Sequence, residues 1–335
     1  MTAPALEIKG LDVAFPGLER TIHAVRGVDL VVGRGEVVGL VGESGSGKSV
    51  TALACLGLLP GGARVRGSIR TAGHQVVGAG GRALARVRGA RAAMIFQNPA
   101  TALNPFFTVG RQVIDVARRH KGLTRIEARA RAVEAFGAVR LPDPVPALEK
   151  YPHQLSGGQV QRIMIAMALV CEPELLVADE PTTALDVTVQ AQIITLVRDI
   201  VASRGLSVLF ITHDLAVVAA LCDRVTVMYA GRIVEQGPVG PVLARPAHPY
   251  TAKLVATVPT LGHGRAELSQ IPGQVPDMSR PPGSCAFHPR CDRASARCRT
   301  EAPPPRASGD GRRVACHHPL TAAVEPALRR AGAEP

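Results

Sequence analysis

Tryptophan is absent from the 335 residues, and seven Phe and three Tyr are the only other aromatic side chains of its class. So sparse a supply of rings argues against a protein that grips nucleic acid by stacking bases, which needs an aromatic platform for successive bases. Long apolar runs are missing as well. The longest, Ile163–Cys171, has nine residues, where a membrane-spanning helix needs about 20. Met1–Gly10 contains neither a basic opening nor an apolar stretch, so no secretory leader is expected and a soluble, cytosolic protein is. Seven Cys is an odd number, which in a reducing compartment points to thiols or a metal site rather than a disulfide framework.

What is present suffices for a substantial core. Hydrophobic residues make up 46% of the chain, which excludes a mostly disordered protein, and the length suggests about two domains. The net charge of +12 would by itself suggest nucleic acid or an acidic membrane surface. It is regional, however: residues 61–131 carry 14 Lys and Arg against only Asp115 and Glu127, and residues 241–335 carry 13 basic and seven acidic groups. Phe96, Phe106 and Phe107 are the only rings in the first of these stretches, so no nucleic-acid partner is expected. A solvated Arg-rich face fits the stretch as well as contact with anionic headgroups, worth about 1 kcal/mol per basic residue.

Along the chain, Leu6–Phe15 and Ile22–Val32 alternate apolar and polar residues and predict antiparallel strands. Gly33-Arg34-Gly35 turns into EVVGLV (Glu36–Val41), a β-branched run typical of a buried strand. The glycine-rich GESGSGKS follows, then a helix-compatible stretch, Ser49–Leu59, closed by Pro60-Gly61-Gly62. Within AAMIFQ, Ala93–Gln97 predicts another buried strand, and a helical pattern runs from Val109 to about Arg140 before the Pro-rich Leu141–Pro146. A helix from Gly158, a strand Leu175–Ala178, a helix Val187–Ser203 and a strand Leu206–Thr212 continue the alternation. Ala230-Gly231 predicts a two-residue hairpin turn between Val225–Tyr229 and Arg232–Gln236. Strands alternating with helices imply an α/β fold with a mostly parallel sheet. Past Gly237 the composition shifts to Pro, Arg and Cys, which sets a domain boundary near residue 240 and leaves a loose tail over the last fifteen residues.

Gly42–Ser49 matches G-x-x-x-x-G-K-[ST] between a strand and a helix. In Gly42, Glu43, Ser44, Gly45, Ser46 and Gly47, the glycines let successive N–H groups turn inward on phosphate oxygens, and the helix N-terminus adds its dipole. Lys48 would neutralise γ-phosphate charge and the Ser49 hydroxyl would ligate Mg²⁺. The strand LLVADE ends in two acids: Asp179 can hold Mg²⁺, and Glu180 can act as general base toward water. His213 also follows a strand, where open α/β sheets place their ligands. It could bond the γ-phosphate and hold Glu180 and the water in place. Gln97, closing its strand, could reach the metal or the water. Leu155-Ser156-Gly157-Gly158-Gln159 opens a second helix with phosphate-ready N–H groups. One nucleotide has no use for two such sites on one chain unless the second serves another chain's nucleotide.

LSGGQ together with GESGSGKS, IFQNP, LLVADEP, TALD and ITHD resembles the ATP-binding subunit of ABC transporters over about residues 5–240. The resemblance implies an ABC-type P-loop ATPase: a mostly parallel sheet, an antiparallel β subdomain and a helical subdomain at about residues 100–170. Two such subunits would sandwich ATP head to tail, with Leu155–Gln159 acting in trans and Ala184-Leu185-Asp186 at the dimer seam. It also implies an aromatic ring on adenine; Phe15 is the candidate, with His23 open because Gly17–His23 blurs the register. TALNPFFTVG, ALDVTVQAQII and RPAHPYTAKLVATVP are similar to the dipeptide/oligopeptide and nickel importer ATPases. This implies an ATP-hydrolysing subunit at the cytoplasmic face of the membrane, moving peptides, or nickel or another small solute. Its partners would be a second, different ATPase subunit, two membrane-spanning permease subunits and an extracytoplasmic solute-binding protein. A soluble, non-transport ABC ATPase fits less well, because tandem cassettes or long coiled coils are absent.

Cys285, Cys291, Cys298 and Cys316 stand in a C-x5-C-x6-C-x17-C array inside the C-terminal extension, 241–335. Zinc modules favour close C-x2–4-C pairs, absent here unless His288, His317 or His318 substitutes; iron–sulfur clusters accept varied spacing. Zinc, a cluster and free thiols all remain open from the spacing. The resemblance to the peptide-importer group implies a [4Fe–4S] cluster on these four residues, with Arg290, Arg293, Arg297 and Arg299 offsetting its charge. Cys55, Cys171 and Cys222 lie in apolar stretches and are expected to be buried packing residues.

Overall fold

The protein is described from a computed structural model at residues 3–97, 102–182, 186–258 and 271–321. The chain opens with the antiparallel hairpin β1 (Leu6–Pro16) and β2 (Thr21–Val32), then β3 (Val37–Val41) and α1 (Lys48–Cys55). β4 (Arg64–Thr71), β5 (His74–Gln75), α2 (Gly81–Val87) and β6 (Ala92–Ile95) follow. Four helices come next: α3 (Val109–Lys121), α4 (Arg125–Ala138), the single turn α5 (Pro144–Ala147) and α6 (Gly157–Leu169). β7 (Leu175–Asp179), α7 (Val187–Arg204), β8 (Ser207–Ile211), α8 (Leu215–Leu221), β9 (Arg224–Tyr229) and β10 (Arg232–Pro238) complete the main layers. Beyond them lie α9 (Val239–Ala244), α10 (Pro249–Ala256), α11 (Ala296–Thr300), and the two-residue strands β11 (Arg306–Ala307) and β12 (Arg313–Val314).

The large sheet runs β11-β12-β10-β9-β3-β8-β7-β6, and β1, β2, β4 and β5 form a separate antiparallel sheet. From β9 to β6 the pairing is parallel, as the alternation of strands and helices requires. Every residue of β3, β7 and β8 is buried, because both faces of this sheet are covered. The two-residue side-chain period divides them. Val38, Leu40, Leu175, Val177, Leu209 and Ile211 join one core with α1 and the small sheet. Val37, Val41, Leu176, Ala178, Val208 and Phe210 join the other, with the helices. Within the helical group, Val109, Val113 and Ala117 on α3 and Ala128 and Ala132 on α4 are buried at four-residue spacing, the apolar stripe of a packed helix.

Two local details differ from the sequence expectation. Helix α1 ends at Cys55 instead of Leu59, because Gly57 takes φ 63° and closes the helix itself. The Gly57 and Leu58 N–H groups donate to Ala54 and Leu53 carbonyls at 3.0 and 2.9 Å, a glycine C-cap well short of Pro60. β4 was unforeseen: its exposed Arg64, Arg66 and Arg70 mask the alternation, yet it pairs along β1. Part of the basic stretch is thus a solvated strand face. Ala230 and Gly231, at φ 46° and 77°, make the expected two-residue hairpin. Residues beyond β10 pack back on its edge, where buried Glu235 accepts from the Ala247 and His248 N–H groups at 2.9 and 2.8 Å.

Candidate active site

The phosphate loop leaves β3 and enters α1. Gly47 takes φ 103°, and a Cβ there would run into the Ala24 carbonyl oxygen, so only glycine fits the turn. No side chain caps α1, which leaves its first N–H groups for a ligand. Lys48 Nζ donates to the Gly42 and Glu43 carbonyls at 2.8 and 2.9 Å, folded back over its own loop. Burial lowers the Lys48 pKa, while Glu180, Asp179 and Glu43 oppose the shift. Ser49 Oγ donates to Asp179 Oδ1 at 3.1 Å, joining the start of α1 to the end of β7. Burial raises the Asp179 pKa against the pull of that hydrogen bond, and the neighbouring Glu180 charge adds to the rise. A hydroxyl and a carboxylate side by side at a phosphate loop are the oxygen donor set that suits Mg²⁺.

Glu180 follows Asp179 with φ 47°, a left-handed backbone that is costly for a residue with a side chain. Its N–H donates to the Ile211 carbonyl at 2.9 Å, tying the end of β7 to β8. Gln97 Nε2 donates to Glu180 Oε2 at 3.1 Å, and His213 Nδ1 lies 3.4 Å from the same oxygen. The three residues named for water activation therefore converge on one carboxylate atom. Ser44, Gly45, Gly47, Lys48, Ser49, Gln97 and Glu180 line a cavity of about 360 Å³ with Phe15, Ile22 and Ala24. Phe15 thus sits on the wall of the groove. His23 is exposed and does not line it; its N–H donates to the Met278 carbonyl at 2.9 Å.

Leu155–Gln159 lies outside that groove. Ser156 caps α6: its Oγ accepts from the Gln159 N–H at 3.3 Å, and Gln159 Oε1 accepts from the Ser156 N–H at 3.0 Å. Ser156 and Gly157 are exposed, and the Ser156 O–H remains available as a donor toward solvent. Gly158 must be small, since a Cβ would come within 2.8 Å of Val189 Cγ1 on α7. Asp186 caps α7, accepting from the Val189 N–H at 2.9 Å; Ala184 and Leu185 lie outside the described residues.

Cys285, Cys291, Cys298 and Cys316 line one small cavity together with His248, His288, His317 and His318. None of the four is in a disulfide. Burial raises the pKa of Cys285, Cys291 and Cys316, the last to about 11, and neighbouring thiols contribute to each rise. Among the described residues, no three His, Cys, Asp or Glu side chains stand close enough to hold a single metal ion. Cys55, Cys171 and Cys222 are buried as expected.

The family described as "ABC transporter" matches residues 25–183, and "Oligopeptide/dipeptide transporter, C-terminal region" matches residues 234–298. The probable D,D-dipeptide transport ATP-binding protein DdpD of Escherichia coli (strain K12) is 49% identical over 322 residues, 95% of this chain and 98% of that one. The chain belongs to the ATP-binding subunits of the dipeptide/oligopeptide ABC transporters. The oligopeptide transport ATP-binding protein OppD of Salmonella typhimurium is 45% identical, over 94% of each chain. Among solved structures, the dimeric ATP-binding cassette MJ0796, bound to ADP and Pi, superposes with a TM-score of 0.63 at 27% identity. That match covers 70% of this chain and 98% of the cassette.

For an ABC ATPase of this group, some site residues escaped the sequence reading. Asp214 caps α8, accepting from the Ala216 and Val217 N–H groups at 2.8 and 3.3 Å and from Gln190 Nε2 at 3.1 Å, which fixes the turn carrying His213. An Asp directly before an apolar helix is a readable cap signal. Tyr250 and Arg290 reach the phosphate loop from more than 200 positions away, and no local pattern announces such contacts.

Proposed function

We propose that this chain hydrolyses ATP to power import of di- and oligopeptides, as one of two ATPase subunits on the cytoplasmic face of a membrane complex. The observation that carries the reading is the convergence of Gln97 and His213 on Glu180 Oε2 beside a phosphate loop. ATP would lie with its phosphates on the N–H groups of Gly42–Ser49, Lys48 swinging from its own loop carbonyls to the γ-phosphate, and Phe15 against adenine. Glu180 takes a proton from water as the water oxygen bonds the γ-phosphorus, and the bond to the β–γ bridging oxygen breaks, giving ADP and phosphate. Gln97 and His213 keep the carboxylate aimed. Ser49 and Asp179, with Gln97 nearby, are the residues that would hold Mg²⁺, which when bound supplies charge neutralisation for the phosphates.

Ser156 and Gly158 serve the nucleotide of a second, different ATPase subunit, with Asp186 at the seam. The exposed cap of α6 supports this, since the Ser156 hydroxyl can accept from its own helix and still donate to a phosphate. Two permease subunits and an extracytoplasmic solute-binding protein complete the complex. No helix among the described residues is long and apolar enough to cross a membrane. The domain division is 1–240 for the ATPase, with a helical subdomain at about 100–170, and 241–335 for the extension. Cys285, Cys291, Cys298 and Cys316 are the residues that would hold a [4Fe–4S] cluster; what supports this is that all four line one cavity. Bound, it would link segments of a region with little regular structure.

The test is uptake by the whole complex reconstituted in proteoliposomes. ATP-dependent accumulation of a labelled dipeptide, abolished by omitting the solute-binding protein, is the expected result. Accumulation of nickel without peptide would overturn the cargo, and a complex that turns over ATP without any permease partner would overturn the transport role.

A further inference from the structure

Glu43 is an unexpected residue for a loop that receives a nucleotide triphosphate, because its negative charge opposes that of the phosphates. Its side chain does not line the nucleotide groove. It turns instead to the C-terminal extension, where Arg290 Nη1 donates to Oε2 at 2.8 Å and Arg290 Nη2 donates to Oε1 at 3.0 Å. The Glu43 N–H donates to Tyr250 Oη at 2.9 Å. The Glu43 carbonyl in turn accepts from Lys48 Nζ and from the Ser46 N–H at 3.2 Å. One residue thus takes contacts from the extension on one side and holds the phosphate-binding lysine on the other.

Arg290 is built to hold still. Its side chain is 5% exposed, and each of its five N–H donors has an acceptor. Besides the two bonds to Glu43, Nε donates to the Pro272 carbonyl at 2.9 Å, Nη2 to the Ile271 carbonyl at 3.0 Å and Nη1 to Tyr229 Oη at 3.3 Å. Tyr229, Tyr250 and Phe287 pack beneath it with centroids 4.6 to 5.3 Å apart. Lys253 Nζ donates to the Arg290 carbonyl at 2.9 Å and pairs with Asp292 at 2.8 Å. A fully satisfied, bidentate guanidinium is the geometry that specifies one arrangement of its partners.

The structure assigns to Arg290 the role of a positioning residue: docked through Glu43, the C-terminal extension sets the phosphate loop and neutralises its internal carboxylate, so ATP affinity depends on that dock. This rests on the ATP-hydrolysing role proposed above and concerns the same site. The consequence is specific. Losing Arg290 leaves an uncompensated carboxylate in the loop and unties the Glu43 side chain from the extension, both of which oppose nucleotide binding. Losing Glu43 charge as well removes the first effect.

The test is a double-mutant cycle on the full chain, reading equilibrium binding of ADP and ATP by calorimetry and the KM-against-kcat split of the assembled complex. Arg290→Met should weaken ATP binding by at least about fivefold, within the usual range of coupling between sites, with KM rising and kcat at saturating ATP little changed. Arg290→Met combined with Glu43→Gln should recover part of that loss, which a merely structural lesion would not do. Arg290→Lys, keeping the charge without the fork, should fall between, and serves if Arg290→Met does not fold. Wild-type affinity in Arg290→Met or Arg290→Lys, or a double variant as weak as the sum of its parts, overturns the inference. Failure of the wild-type chain itself to bind ATP would overturn the proposed function instead.

Discussion

Replacing Glu180 separates chemistry from binding, and two substitutions do so with opposite effects on the fold. Glu180→Gln keeps the shape and can still offer an oxygen to Gln97 Nε2, now 3.1 Å from Oε2, so nucleotide binding should stay within about threefold of wild type, under 0.7 kcal/mol. What disappears is a proton acceptor, and general-base contributions run to about 10²–10⁴-fold, or roughly 2.7–5.4 kcal/mol of barrier. Glu180→Gly removes the base as well and also relieves the backbone, which sits at φ 47°. A left-handed conformation costs an ordinary residue about 1–2 kcal/mol, and glycine's extra unfolded-state freedom returns about 0.5–1 kcal/mol of that. The glycine variant should therefore be at least as thermally stable as wild type while turning over as poorly as Glu180→Gln. Phosphate release by the assembled complex, ATP titration and thermal denaturation measure the three quantities. Turnover of Glu180→Gln within threefold of wild type would refute the general-base role, and a melting temperature several degrees lower in Glu180→Gly would refute the strain argument.

Lys48→Ala should weaken ATP binding itself rather than catalysis, seen as loss of calorimetric signal with a melting curve little changed, since the ammonium's hydrogen bonds among the described residues go to its own loop's carbonyls. Phe15→Ala should weaken ATP about tenfold, the order of one aromatic contact, while His23→Ala leaves the titration unchanged; the reverse result would move the adenine site to His23. Ser156→Ala should cost about 1 kcal/mol of stability through the lost cap, measured by denaturant unfolding. It should also depress phosphate release by the paired ATPase subunits more than ATP binding by this chain alone. Anaerobically purified protein should contain iron and acid-labile sulfide that Cys285→Ser loses; colourless, iron-free wild type would remove the cluster from the proposal.

Most of the nucleotide site was legible because its chemistry is local. Gly42–Ser49 and the acids after LLVA each occupy a few consecutive residues, where spacing alone brings donors together. His213 and Gln97 were weaker signals individually, and only the parallel order β8-β7-β6 shows why both strand ends reach Glu180. β4 escaped notice because its exposed arginines overwrite an alternation that its partner β1 enforces from 50 to 65 positions away, in register pairs from Ala14 and Arg64 to Leu6 and Thr71. The end of α1 was misplaced because Pro60 is the louder breaker, yet Gly57 meets the helix first. The contacts of Arg290 were invisible for a plainer reason: a half-buried ion pair between residues 247 positions apart has no periodicity to betray it.

That ion pair also bears on how such subunits can be recombined. A chimera that joins the cassette of one relative to the extension of another could keep the core the two share, in which Tyr250 and Phe287 pack with Val227 and Tyr229. It would nonetheless strand a buried guanidinium wherever the borrowed cassette lacks an acid at position 43, and an unpaired buried charge costs several kcal/mol. Glu43 and Arg290 should therefore be exchanged as a pair in any such graft, whose seam must take in the phosphate loop.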